Sequence, residues 1–274
     1  MNYFTWFRSP AHFLVFICLV STLAALGAKD ANAQKTWSAF KFSTGVDYTT
    51  GDYGTGSNTD ILFIPFTGKY EHGPWVVGMT IPYIHIDGDG SVVGGTDGSP
   101  IVGDESGGGR TVKSGLGDIV ALLTYSILPK KKTLPLVELT GKIKFPTANE
   151  NDGLGTGEFD YSVQVDISQK FGKITPFGTL GYRFVGEPSG TNLNDIFFLS
   201  LGGSYALQEK WSAGLIFDYR QSTSDAADDP AELTPFVVWK VHKDWSLNTY
   251  GLIGLTDGSA DYGGGLQVSY TLER

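Results

Sequence analysis

The sequence predicts an all-β protein: a 12-stranded antiparallel up-and-down transmembrane β-barrel with short periplasmic turns and long extracellular loops. Three observations lead there. Short, mostly Lys-marked turns (Glu71-His72-Gly73, Pro129 to Thr133, Phe171-Gly172-Lys173, Gln208-Glu209-Lys210, Val241 to Asp244) alternate with Gly- and Asp-rich loops at 50–58, 87–114, 147–157, 186–194, 222–231 and 256–260. The segments between them carry a two-residue period. Aromatic residues gather at the segment ends.

Residues 1–33 read as a cleaved secretory signal peptide and 34–274 as a single barrel domain. Arg8 supplies the positive start, His12 to Ala28 the apolar stretch, and Ala31-Asn32-Ala33 the small-residue cleavage site. An uncleaved anchor is the rival reading, because the apolar stretch approaches spanning length. Cys18, the sole cysteine, follows bulky Ile17 and so does not suit lipoprotein processing. With it removed, neither a disulfide framework nor a thiolate metal site is available. Of 20 basic and 29 acidic residues, Arg8, Lys29 and Asp30 leave with the signal, so 18 basic face 28 acidic, a net −10. That balance argues against nucleic acid as a partner. No later apolar run reaches about 18 residues, so no spanning helix is expected.

Twelve segments carry the strand pattern: 36–49, 59–70, 74–87, 115–128, 134–147, 157–170, 173–186, 195–208, 211–222, 231–242, 244–256 and 259–272. The clearest is 157–170. Phe159, Tyr161, Val163, Val165 and Ile167 share one face, and Asp160, Ser162, Gln164, Asp166 and Ser168 the other. In 134–147, Val137, Leu139, Ile143 and Phe145 oppose Glu138, Thr140, Lys142 and Lys144. In 211–222, Trp211, Ala213, Leu215, Phe217 and Tyr219 oppose Ser212, Gly214, Asp218 and Arg220. In 259–272, Tyr262, Leu266, Val268, Tyr270 and Leu272 oppose Gln267, Ser269 and Thr271. Strands 59–70, 74–87 and 244–256 alternate less cleanly. An even strand number returns the chain to its starting side, which puts both termini in the periplasm.

Trp37, Trp75, Trp211 and Trp245 open strands that leave short turns, and Tyr48, Tyr83 and Tyr219 lie toward the opposite ends. These positions predict two aromatic girdles. A soluble secreted β-sandwich or lipocalin-like barrel would carry the same period with its faces reversed. Uniform strand length, turn alternation and polar faces of both signs favour the membrane form.

The polar faces predict a lumen lined by Lys41, Lys69, Asp118, Glu138, Lys142, Lys144, Asp160, Asp166, Arg183, Asp218, Arg220 and Lys240. A Lys or Arg facing lipid at mid-membrane costs roughly 2–4 kcal/mol, so a dozen charges belong inside. There they act as a mutually neutralising lattice or as a selectivity lining. Loop 87–114 holds Asp87, Asp89, Asp97, Asp104 and Glu105 among glycines. It reads as a solvated acidic loop whose spacing fits no helix–loop–helix calcium site, and its length also permits a partial plug. Enzyme activity needs a nucleophile–base pair. His72 and His242 sit in short turns, which leaves His85 with Ser91 nearby and no supporting motif. No enzyme activity, metal or cofactor is expected.

From 115 to 185 the chain carries Ser114-Gly115-Leu116-Gly117-Asp118, then Lys142-Ile143-Lys144-Phe145-Pro146-Thr147. Gly153-Leu154-Gly155-Thr156-Gly157 with Asp160 follows, then Phe171-Gly172 and Leu180-Gly181-Tyr182-Arg183-Phe184. This succession resembles the outer-membrane family of the "MetA-pathway of phenol degradation". The likeness implies an outer-membrane transporter of small molecules, hydrophobic or aromatic ones included, without implying phenol itself. One departure stands out: such barrels usually finish on an aromatic residue, and this chain ends Glu273-Arg274. Either Tyr270 and Leu272 suffice for recognition by the barrel-assembly machinery, or assembly is less efficient.

The expected function is therefore a passive channel in the cell outer membrane, surrounded by membrane lipid and lipopolysaccharide. The alternatives are a non-conducting structural or adhesive barrel displaying acidic loops, and a soluble secreted β-protein.

Overall fold

The computed structural model describes residues 38–102, 109–129, 131 and 133–273. The expected signal peptide, Trp37, the Asp104-Glu105 pair, Lys130, Lys132 and the C-terminal Arg274 lie outside the described residues. Twelve antiparallel strands form one closed sheet. In chain order they are β1 (Ser38–Gly51), β2 (Thr59–His72), β3 (Trp75–Asp89), β4 (Arg110–Leu116 continued by Ile119–Ile127), β5 (Leu136–Phe145) and β6 (Asp160–Ser168). Then come β7 (Ile174–Phe184), β8 (Ile196–Ala206), β9 (Trp211–Arg220), β10 (Ala231–Trp239), β11 (Trp245–Gly254) and β12 (Tyr262–Glu273).

Each strand pairs with its neighbours in sequence, and β1 pairs with β12 from Ala39↔Glu273 to Thr50↔Tyr262, which leaves no open edge. Among the described residues no helix is long and apolar enough to cross a membrane. The side-chain faces are inverted relative to a soluble barrel. Phe66 (54% exposed), Val163 (57%) and Leu201 (52%) point outward, while Lys41, Lys142, Asp166 and Gln267 are buried inside. A backbone ladder of this kind satisfies every strand donor and acceptor internally, which is what hydrocarbon demands.

The strand boundaries follow local chemistry. The β2–β3 turn is His72-Gly73-Pro74-Trp75, where Gly73 takes φ +56°. That is left-handed backbone, which costs glycine little. β4 is broken at Gly117-Asp118. Tyr83↔Leu116 and Thr80↔Val120 bracket the break, so three β4 residues oppose two of β3. Such a bulge fits its neighbour: Pro82 of β3 has no N–H to donate, and its carbonyl accepts the Gly117 N–H at 2.9 Å.

The inner wall repeats one packing device. Phe177, Phe198, Phe236 and Tyr250 sit directly across the ladder from Gly202, Gly181, Gly214 and Gly265. Each ring lies over its glycine, so that an added Cβ would strike the ring. An aromatic laid over a cross-strand glycine fills space that no side chain occupies and protects the exposed backbone.

The sequence reading and the structure part most at the longest loop. β3 runs on to Asp89 and β4 begins at Arg110, so the loop expected over 87–114 is 90–109. It contains its own two-stranded ladder, Val92–Gly94 against Pro100–Val102. Gly181→Val should overpack the wall against Phe198, with a loss of about 1–3 kcal/mol. The check is a lower urea midpoint for loss of the heat-modifiable gel form.

Candidate functional site

The site is built from inward-facing side chains, placed there by strand parity. Lys41, Lys69, Asp118, Glu138, Lys142, Lys144, Asp160, Asp166, Arg183, Asp218 and Arg220 are all buried inside the sheet. Lys240 lies just past the end of β10 and is half-buried. Burial first, and then the Lys170 charge, push its ammonium down to about 8. The predicted lining leaves out the inward carboxylates Asp47 and Glu232 and, although its strand face was read as polar, Gln267. Glu232 pairs with Arg220 at 3.5 Å, Asp47 accepts the Tyr250 hydroxyl, and Gln267 is fully buried. The signal for Asp47 and Glu232 was parity, shared with Lys41 and with Thr234.

The densest polar cluster centres on Lys144, whose side chain is completely buried. Its Nζ lies 3.4 Å from Asp118 Oδ2 and 3.2 Å from Asp160 Oδ1. It also donates to Thr156 Oγ1 at 2.8 Å. Asp118, freed by the β4 bulge, accepts the Thr147 and Ala148 N–H groups at 2.9 Å each. Asp160 accepts the Gly186 N–H at 3.0 Å and the Thr96 hydroxyl. The Lys144–Asp160 pair thus fastens loops 146–159 and 185–195 and the 92–102 hairpin to the wall. The packing leaves room for little else: a Cβ on Gly155 would stand 2.7 Å from Asp118 Oδ2 and 2.9 Å from Ala148 Cβ.

Residues 90–102 of the 90–109 loop pack into the barrel mouth, the arrangement that the plug alternative allowed, rather than standing in solvent. Val92 is fully buried, and Ile101 and Val102 are nearly so. Val92 and Val102 join a cluster with Ile61, Phe63, Ile84 and Ile86 of the inner wall. Tyr53, from the 52–58 loop, joins the same cluster, and burial raises its phenol pKa. Backbone contacts hold the hairpin: Gly94 N–H to Gly153 O at 3.1 Å, and Lys113 Nζ to the Gly90 and Val92 carbonyls at 2.9 and 2.8 Å. The apolar pairs Val92-Val93 and Ile101-Val102 drive this burial. They are short, and glycines and aspartates surround them.

Aromatics ring the outside at both ends. Trp75 packs on Tyr125 at 4.7 Å, Trp245 on Tyr270 at 4.9 Å, and Trp211 stacks on Trp239 at 5.1 Å, near the short-turn end. Trp239 was absent from the expected girdle. At the long-loop end the Tyr48 hydroxyl donates to Asp60 at 2.8 Å and that of Tyr219 to Asp229 at 2.5 Å. Tyr83 is outward and exposed there. His85 does not meet Ser91. Its Nδ1 lies 2.7 Å from Ser114 Oγ across the ladder, whereas Ser91 donates to Asp89.

The family profile described as "Putative MetA-pathway of phenol degradation" matches residues 27–272. Among solved structures, an outer membrane channel from Pseudomonas putida F1 is similar over 90% of this chain and 100% of its own, with 14% identity and a TM-score of 0.63. The KdgM porin is similar over 85% of this chain and 98% of its own, with 9% identity and a TM-score of 0.49. No curated protein matches the sequence.

Lys144→Met should leave two buried carboxylates without their cation. The expected loss is about 3–5 kcal/mol, read as a lower urea midpoint by tryptophan fluorescence. Protease cleavage within 146–159 should appear alongside it.

Proposed function

The chain belongs to the family of the MetA-pathway of phenol degradation, and on that premise we propose that it is a passive channel for small molecules in the outer membrane. The observation that carries this reading is the inversion of faces in a closed barrel: a broad apolar exterior around an interior of charged and hydroxylated side chains. An apolar exterior of this extent needs hydrocarbon around it, which weighs against the soluble reading. The proposed orientation puts the short turns and both termini in the periplasm, with loops 90–109 and 146–159 outside.

Hydrophobic or aromatic permeants suit the upper interior. There Ile84, Ile196, Phe198, Ile216 and Leu252 face inward near the long-loop end. Over the rest of the wall, charged and hydroxylated side chains are interspersed with further inward apolar ones, Phe177, Phe236 and Val238 among them.

The packed mouth favours a second reading, a closed structural barrel that displays its loops. Planar-bilayer recording separates the two. The channel reading expects discrete conductance steps that enlarge when the hairpin 92–102 is replaced by a short glycine linker. Its failure would be an absence of steps from both proteins. The orientation has its own check, made simple by the single cysteine in the leader. Asn192→Cys should react with an impermeant maleimide on intact cells, and Lys243→Cys should react only after the outer membrane is opened.

A further inference from the structure

The register of the barrel sorts the inward charges by sign. Following direct cross-strand partners from β1, one rung reads Lys41, Lys69, Gly78, Leu122, Lys142, Ser162 and Arg183. Every charge on it is positive. A second rung, starting on β4, reads Ser126, Glu138, Asp166, Thr179, Ser200, Asp218 and Glu232. Every charge on that one is negative. Where both rungs cross β5, Lys142 and Glu138 are four residues apart, about 13 Å along the strand. The rung of Thr124, Thr140, Gln164, Gly181 and Phe198 runs between them and is uncharged until it reaches Arg220 on β9.

Direct neighbours on these rungs repel. Lys41 faces Lys69, Glu138 faces Asp166, and Asp218 faces Glu232. Like charges directly opposite each other destabilise a sheet, and unlike charges stabilise it. A lattice that served only to fill the barrel would alternate signs. Among the described residues the inner wall does so at one direct register pair, Lys144 and Asp160, which is the cluster that fastens the loops, and off register at Arg220 and Glu232, 3.5 Å apart.

Donors on the acidic rung and on the rung beside it keep the carboxylates in place. Ser126 donates to Glu138 at 2.7 Å, Gln164 to Asp166 at 2.9 Å, and Ser200 to Asp218 at 2.5 Å. Because rungs run across tilted strands, each climbs the barrel. Lys41 and Lys69 lie near the short-turn end and Arg183 near the other; Glu138 and Asp166 begin low, and Asp218 and Glu232 end high. Two charged paths therefore wind along the interior in the same sense, and the Arg220–Glu232 ion pair caps the acidic one near the long-loop end.

We infer that these rungs are two selectivity tracks: Lys41, Lys69, Lys142 and Arg183 draw anionic groups along one side of the lumen, and Glu138, Asp166 and Asp218 draw cationic groups along the other, up to the point where Arg220 neutralises Glu232. The class of permeant this fits is a small organic ion or zwitterion whose charged groups travel on their own tracks while its apolar part crosses the upper interior. The inference rests on the channel reading. Separated charge of one sign on a low-dielectric wall concentrates counter-ions locally, and rings of one sign are how pores select.

The test is the reversal potential of the full chain in planar bilayers under a potassium chloride gradient. Lys41→Gln/Lys69→Gln/Lys142→Gln should lower the chloride-to-potassium permeability ratio by roughly tenfold, and Glu138→Gln/Asp166→Asn/Asp218→Asn should raise it. Heat-modifiable gel mobility confirms that each variant has folded. Should a triple variant not fold, Lys69→Gln and Asp166→Asn carry the same opposed shifts at smaller size. Conductance steps with no shift in folded variants would overturn the two tracks and leave the channel standing. No steps from any form would overturn the channel itself, and the tracks with it.

Discussion

A sheet surrounded by hydrocarbon has no water to satisfy an open edge. The rest of this molecule follows from that constraint. The ladder must close, so β1 pairs with β12 along nearly its whole length. Closure places alternate residues against lipid, and lipid accepts only apolar ones. The charges in the same strands then have one place left, the interior. Twelve strands enclose more space there than small side chains fill, so aromatic rings lie over glycines, and buried charges carry their own hydrogen-bond donors.

The same constraint explains why the fold was legible in the sequence. A two-residue period over 157–170 leaves no second arrangement for Tyr161, Val163 and Val165 against Ser162, Gln164 and Asp166 once the strand spans a membrane. Turn chemistry was equally direct at Gly73 and Gly172, whose positive φ angles mark tight reversals. The interior was legible by parity alone, which says which way a side chain points and nothing of what it meets. Asp118, Lys144 and Asp160 are distant in sequence; only the register of β5 with β6, together with the bulge in β4, brings them to one point.

The mouth was the illegible part, for a physical reason. Loop composition is dominated by residues that permit many conformations, and the 90–109 segment is mostly glycine, aspartate and serine. The conformation of residues 90–102 is decided by four apolar side chains and by whether the barrel offers them a dry cavity. Ile61, Phe63, Ile84 and Ile86 provide it. They come from two strands whose alternation was weak because both faces are apolar near the long-loop end. An apolar inner face blurs the strand's own pattern and creates the site into which the loop folds.

Tying three loops to one ion pair also has a dynamic consequence. A loop held by its own contacts opens by itself, and a mouth built of such loops would breathe in many small steps. Here Asp160 binds Thr96 of the hairpin, Gly186 of a second loop and Lys144, while Lys144 binds Thr156 of a third. Moving the Asp160 carboxylate leaves a charge without its partner in a buried place, which is unfavourable until the neighbouring loops move as well. The three loops are therefore coupled through one carboxylate and one ammonium, so that releasing any one of them weakens the hold on the other two.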